Sequence, residues 1–436
     1  MTTGSKAATA VTSPWEQAEL FINGKQVEWG EELVLLRGQE NEVTVEAPPV
    51  IARALNLGLA DNGGLETVAS PEFGAWVTPV NDQFTWKLAP DAGKSGRITL
   101  VFYSREVKEL WEHRSLVISS NLADEADVKI EGAAVPAEGN WFYRDKPQTV
   151  TLIPKPGSPL ADLPVTLTCT IKSGLEVDNV VSAPAFSSES TTHSWAVTGN
   201  TKSGTFQLAL SGKGMTTPIT LAVSKLLSNN LADEADVIID DKEASDAEVV
   251  YVRNAKHRIT LVPKLNSPLA GYPLSLQWIR GDGVVPVDLT FRPQLDTETV
   301  IHSWDVTGSA TEAGTFELSI VGVGFNAPMI LPFSRQISVK YFLDGKEFSI
   351  FKEIVNGRQY TFHVEVLGGI SRVHVENSPG MLSFNPPLNG WFDLSSGELR
   401  WLFITDVNDF ASETVRFNFP SEYFARDTIS FDIIPT

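Results

Sequence analysis

The chain has 436 residues, 42% hydrophobic and 20% charged, which is the composition of a folded globular protein rather than a disordered one. Acidic residues outnumber basic ones by 54 to 34; the formal charge of −20 argues against nucleic acid and anionic membrane surfaces as partners. A single cysteine, Cys169, excludes internal disulfides and cysteine-based metal clusters.

In chain order, residues 1–14 are small and polar, with one Lys and no apolar run, and read as a flexible tail rather than a classical secretory leader. No stretch approaches the roughly 20 apolar residues of a membrane span, so no membrane insertion is expected. From residue 15 onward, runs of four to eight residues alternate apolar and polar side chains between clusters of Gly, Pro, Asn and Asp, the pattern of short β-strands. Ile22-Asn23-Gly24-Lys25 is a hairpin turn, because Asn-Gly supplies the positive φ angles that a two-residue turn needs. Only VKELWEHRSL, residues 107–116, is ambiguous between helix and strand.

A duplication follows. Asn121 to Val128 reads NLADEADV, and Asn230 to Val237 repeats it at an offset of 109 residues. The same offset carries Pro154-Lys155 onto Pro263-Lys264, Ser158-Pro159-Leu160-Ala161 onto Ser267-Pro268-Leu269-Ala270, and His193-Ser194-Trp195 onto His302-Ser303-Trp304. The flanks are fainter copies. Arg37, Arg144 and Arg253, with Ile354 in the last copy, each stand seven residues before a strand-like Thr and about fifty before Trp86, Trp195, Trp304 and Trp401. Leu343-Asp344-Gly345-Lys346 repeats the first hairpin turn. These marks divide the chain into domains at 15–118, 119–227, 228–337 and 338–436, the first and last divergent and the middle two close duplicates.

About 100 residues with six to eight short strands is the size of an immunoglobulin-type sandwich, and the repeated Trp is expected between its two sheets. The fold class is therefore all-β, four tandem immunoglobulin-like β-sandwich domains. In domain length, strand pattern and tandem arrangement the chain resembles tandem bacterial immunoglobulin-like domains, as in surface adhesins and large secreted proteins. That resemblance implies a spacer or a binding head, and an extracellular or cell-surface setting. The N-terminus fits that setting poorly, and leaves cytoplasmic residence, non-classical export and a longer precursor open.

Three groups are candidate sites. Asp124, Glu125 and Asp127, with Asp233, Glu234 and Asp236, fall at domain junctions; calcium takes six to eight such oxygens, so Ca2+ is the candidate cation there and no other cofactor is expected. Alternatively, each is a solvated cap duplicated with its domain. A further acidic group comprises Asp406, Asn408 and Asp409. Arg280-Gly281-Asp282 is an integrin-type tripeptide placed at an expected hairpin tip, where small polar residues are also what a turn requires. Trp141, Phe142 and Tyr143 form an aromatic run suited to stacking on a sugar or anchoring a partner, against the reading that they cover a domain end. Trp15, Trp29, Trp76, Trp111, Trp278 and Trp391 likewise do not repeat.

Catalysis finds little support. His193 and His302 are duplicated beside the core Trp, Cys169 alternates like a strand residue, and no phosphate-loop, dinucleotide or nucleophile-elbow motif occurs. The expected function is non-enzymatic: an extended arm that binds a protein or glycan partner through its end domains. Two other classes are a secreted host- or glycan-directed binding protein and an assembly component of a larger bacterial machine. Oligomeric state is not readable from the residues.

Overall fold

The computed structural model describes residues 13–28, 30–245, 247–405, 410–421 and 425–435. Most of the tail assigned to residues 1–14, Trp29, and the group Asp406, Asn408 and Asp409 lie outside them. The protein is nearly all-β, and the strands of the described residues form eight sheets. Among the described residues, helix is limited to short 3-10 turns and two four-residue turns, α1 (Leu122–Glu125) and α2 (Leu231–Glu234).

The first pair of sheets sets the pattern. One has the order Lys25–Val27, Glu19–Ile22, Asn41–Glu46, Gln83–Pro90, Thr67–Ser70; the other runs Leu33–Leu36, Trp111–Ile118, Gly96–Ser104, Leu55–Asp61, Trp76–Val77. The order of the first sheet recurs in the next three pairs, and the last pair repeats both. In the third pair the second sheet lacks a counterpart of Trp76–Val77 among the described residues. VKELWEHRSL resolves as strand: Trp111–Ile118 pairs antiparallel with Gly96–Ser104 and parallel with Leu33–Leu36. Period-two burial favours that outcome, since Trp111, His113 and Ser115 all face inward.

The repeated Trp sits at one place in each pair. Trp86 lies opposite Val43, Trp195 opposite Val150, Trp304 opposite Ile259 and Trp401 opposite Phe362. All four are at most 2% exposed, and none of their indole N–H groups has a hydrogen-bond partner. They act as large apolar fillers between sheets.

The first hairpin also repeats four times. Asn23-Gly24, Glu131-Gly132, Asp240-Asp241 and Asp344-Gly345 all have positive φ at both central positions. At each, the first turn residue's side chain accepts a backbone N–H from the neighbouring strand: Glu42, Thr149, Arg258 and Thr361 respectively. The turn and the adjacent strand are thereby tied together.

Two compact units result, residues 1–226 and 227–436. Inside the first, Leu116 and Ile118 of the first sandwich belong to the core that Trp195 fills, with Val34 and Leu36 packed against it. Inside the second, Val250, Val252 and Ile337 join the core around Trp401. An apolar seam, rather than a solvated linker, thus joins consecutive sandwiches within each unit.

Candidate functional site

The junction motif begins with Asn121, whose side chain accepts the Ala123 N–H at 3.1 Å and caps α1. This single turn drives Glu125 inward, to 1% exposure. Its Oε1 accepts from the Ser119 N–H at 2.7 Å and Ser95 Oγ at 2.5 Å, while Oε2 accepts from Ser158 Oγ at 2.6 Å. Arg37 of the preceding sandwich completes the site, with Nε 3.7 Å from Glu125 Oε1 and Nη2 3.5 Å from Asp124 Oδ2. A buried carboxylate is tolerated when charge and hydrogen bonds both compensate it, and here both do.

α2 reproduces the local half of this arrangement. Asn230 accepts from the Ala232 N–H, Ser228 Oγ donates to Asp233 at 2.7 Å, and buried Glu234 accepts from the Ser228 N–H and from Ser267 Oγ. The duplicated lysines close both turns: Lys155 Nζ donates to the Ala123 carbonyl and Lys264 Nζ to the Ala232 carbonyl, each at 2.6 Å. The offset residues found in the sequence, Lys155/Lys264 and Ser158/Ser267, are therefore the parts of one device.

The first two carboxylates of the motif already have protein partners. Glu125 is spent on serines and Arg37, Asp124 is held by Ser119 and Arg37, and Asp127 lies toward Lys155 with 71% of its side chain exposed. In the second motif Asp236 is 61% exposed and faces Lys264. Among the described residues the ligand atoms of neither acidic triad all lie within 4.8 Å of one another.

The second unit has its own buried pair. Arg253 Nη2 donates to Asp427 Oδ2 at 2.9 Å and Oδ1 at 3.2 Å, and Tyr341 Oη donates to the same Oδ2 at 2.9 Å. Burial raises the Tyr341 hydroxyl well above its ordinary pKa, reinforced by the charge of Asp427 and by the hydrogen bond to it. Nearby, Arg335 bridges the Glu248 carboxylate and the Gly368 carbonyl. Arg37 and Arg253, both read as repeat markers, are thus the cations of two junction locks.

The other predicted sites change on inspection. Phe142 is 1% exposed and packs edge-on against Phe206, so it is a core residue and not a ligand platform. Trp141 and Tyr143 alternate outward, half-buried, with Lys225 Nζ 4.1 Å from the Trp141 ring centroid and Lys146 beside Tyr143. Arg280-Gly281-Asp282 is not at the hairpin tip. It lies within Ser275–Asp282, paired residue by residue with Glu317, Phe316 and Thr315 after a β-bulge, and Arg280 is bound to Glu317 at 2.5 Å. Gly283, at φ +76°, makes the turn beyond it.

Among the described residues two tryptophans are exposed, one in the first sandwich and one in the fourth. Trp76 occupies the edge strand Trp76–Val77 of the first sandwich and is 43% exposed; Trp391 occupies the corresponding edge strand Gly390–Asp393 of the fourth and is 54% exposed. Each carries a guanidinium over its ring, Arg105 at 4.5 Å and Arg372 at 4.7 Å. Both were in the set of non-repeating tryptophans, but nothing in their sequence neighbourhoods separates them from buried Trp15 and Trp111, which stack at 5.4 Å.

Three buried histidines have structural partners. His193 Nε2 meets the Leu163 carbonyl at 2.8 Å and His302 Nε2 the Tyr272 carbonyl at 2.6 Å, both residues at positive φ. Buried His257 lies between Asp240, at 2.5 Å, and the Val250 carbonyl. Burial lowers His113 to about 4 and raises the Cys169 thiol to about 11, which leaves the thiol protonated and unreactive near neutrality. No helix among the described residues is long and apolar enough to cross a membrane.

No family model and no curated protein matches the chain. Among solved structures it is similar to FdeC, described as a broadly conserved Escherichia coli adhesin, at 12% identity over 72% of this chain and 96% of that chain, with a TM-score of 0.31. It is similar to a D1–D4 ectodomain fragment of ICAM-5 at 11% identity, covering 96% and 100% of the two chains, with a TM-score of 0.25. Sidekick-1 immunoglobulin domains 1–5 give 12% identity, 96% and 92% coverage and a TM-score of 0.23. The recurring sheet order, with a buried Trp at the same strand position in each sandwich, is the fold of tandem immunoglobulin-like arrays.

Proposed function

We propose that the chain is a non-enzymatic adhesive array that engages a protein or glycan partner through its end sandwiches. The observation that carries this reading is the pair Trp76 and Trp391, exposed on corresponding edge strands of the first and last sandwiches, each with an arginine stacked on it. An aromatic face beside a guanidinium suits a sugar ring with a nearby anionic group, or an interface hot spot. The seams and buried ion pairs within each unit serve the same end, because they hold neighbouring sandwiches as one body and fix the placement of an end surface.

Binding of the full chain to immobilised glycans and extracellular-matrix proteins tests the reading. Trp76→Ala and Trp391→Ala are expected to weaken capture by about tenfold or more, the size of a typical hot-spot loss. Undiminished capture in the double variant would reject the end surfaces as the binding sites.

A further inference from the structure

On the outer face of the fourth sandwich, His363 and Glu365 project from Gln359–Leu367 and Glu398 from the paired strand Glu398–Thr405. Register places Glu365 directly opposite Glu398, two like charges in an arrangement that is unfavourable by itself. His363, two residues earlier on the same face, points Nε2 between them, 3.5 Å from Glu398 Oε2 and 4.0 Å from Glu365 Oε1. That nitrogen is shielded from solvent and has no hydrogen-bond partner, while the ring is held by stacking on Phe342 at 5.1 Å. One ligand atom from each residue lies within 4.8 Å of the others.

We propose that His363, Glu365 and Glu398 bind a divalent transition metal, zinc being the ion whose chemistry they match. Zinc accepts imidazole nitrogen and carboxylate oxygen at about 2.0–2.2 Å in a tetrahedron, whose corners then lie roughly 3.4 Å apart; His363 and Glu398 already stand at 3.5 Å, and Glu365 at 4.0 Å must move inward. The ion would give the buried Nε2 a partner and neutralise the opposed carboxylates. Three protein ligands leave a fourth position for water. Arg400, opposite His363, competes: its Nη2 is 3.1 Å from Glu398 Oε2 and must release that oxygen. Lys340, opposite Glu365 on the other side, is the remaining cation of this face.

Titration calorimetry of the full chain with zinc chloride tests the site. One zinc per chain is expected, lost on His363→Asn and weakened by about tenfold or more in Glu398→Gln, while Arg400→Gln should tighten it. The Arg400 variant keeps the test informative if the His363 variant is poorly folded. Absence of zinc binding in the wild-type chain, unchanged binding in Glu398→Gln, or weaker binding in Arg400→Gln would overturn the proposal. So would calcium binding as tightly as zinc with the same dependence on these residues, since a hard cation gains nothing from imidazole.

Discussion

Arg37 Nε lies 3.7 Å from a Glu125 carboxylate that is 1% exposed, and the two residues come from consecutive sandwiches. Removing the carboxylate strands three donors and leaves the largely buried guanidinium with Asp124 alone. Glu125→Ala is therefore expected to destabilise the first unit by about 3–5 kcal/mol, and Arg37→Ala by about 1–3, because the serine donors remain. Urea midpoints followed by tryptophan fluorescence measure both; equal, negligible shifts would show that the pair adds nothing.

The same junction distinguishes lock from cation site. With Glu125 saturated by Ser95, Ser119 and Ser158, added calcium should leave the melting temperature where magnesium leaves it. A calcium-specific rise that disappears in Asp124→Asn and Asp233→Asn would identify the acidic motifs as ligands after all.

In the second unit, Asp427 holds Arg253 and Tyr341 together. Asp427→Ala leaves two buried donors unpaired and should cost about 3–5 kcal/mol, whereas Tyr341→Phe removes one hydrogen bond to a charged group and should cost about 1.5–3. Spectrophotometric titration gives a second readout, since Tyr341 should stay protonated well above the ordinary tyrosine range and Tyr341→Phe should remove one such group.

Acid should weaken the first sandwich in a defined window. His113 packs against Trp111 at 4.8 Å and titrates near 4 because it is buried, whereas an unfolded histidine titrates near 6.5. Between those values the unfolded chain takes up a proton that the folded chain refuses, so stability falls as pH drops from 6.5 to 4, by up to about 3 kcal/mol. Hydrogen exchange of peptides around Trp111 should accelerate across this window, and His113→Phe should flatten the dependence.

Because the core indole N–H groups bond to nothing, Trp195→Phe and Trp304→Phe lose volume without orphaning a partner. Each should cost about 1–2 kcal/mol, against about 3–5 for the alanine variants. Thermal unfolding of the four single variants separates these values.

Much of the architecture was readable because it is local or duplicated. Period-two alternation and Asn-Gly or Asp-Gly turns are properties of neighbouring residues, and the 109-residue offset exposed Lys155, Ser158 and their copies before their role was visible. The role itself depended on which charges meet across a junction. Asp124, Glu125 and Asp127 read as one acidic cluster, yet α1 buries Glu125 and leaves Asp127 in water. Phe142 within the aromatic run differs from its neighbours for a similar reason: strand alternation turns it inward between Trp141 and Tyr143, while exposure of Trp76 and Trp391 follows from edge-strand placement. Arg280-Gly281-Asp282 misses the tip because strand pairing continues through Asp282, opposite Thr315. His363, Glu365 and Glu398 meet only through the pairing of two strands, and Glu398 is more than thirty positions away in sequence.

The lone thiol of Cys169 has a final consequence. A chain with one cysteine has no internal crosslink for glutathione to cut, and this cysteine is further protected by a pKa raised to about 11. Its sandwiches rest on tryptophan fillers and ion-pair locks, and no disulfide within this sequence contributes to the fold.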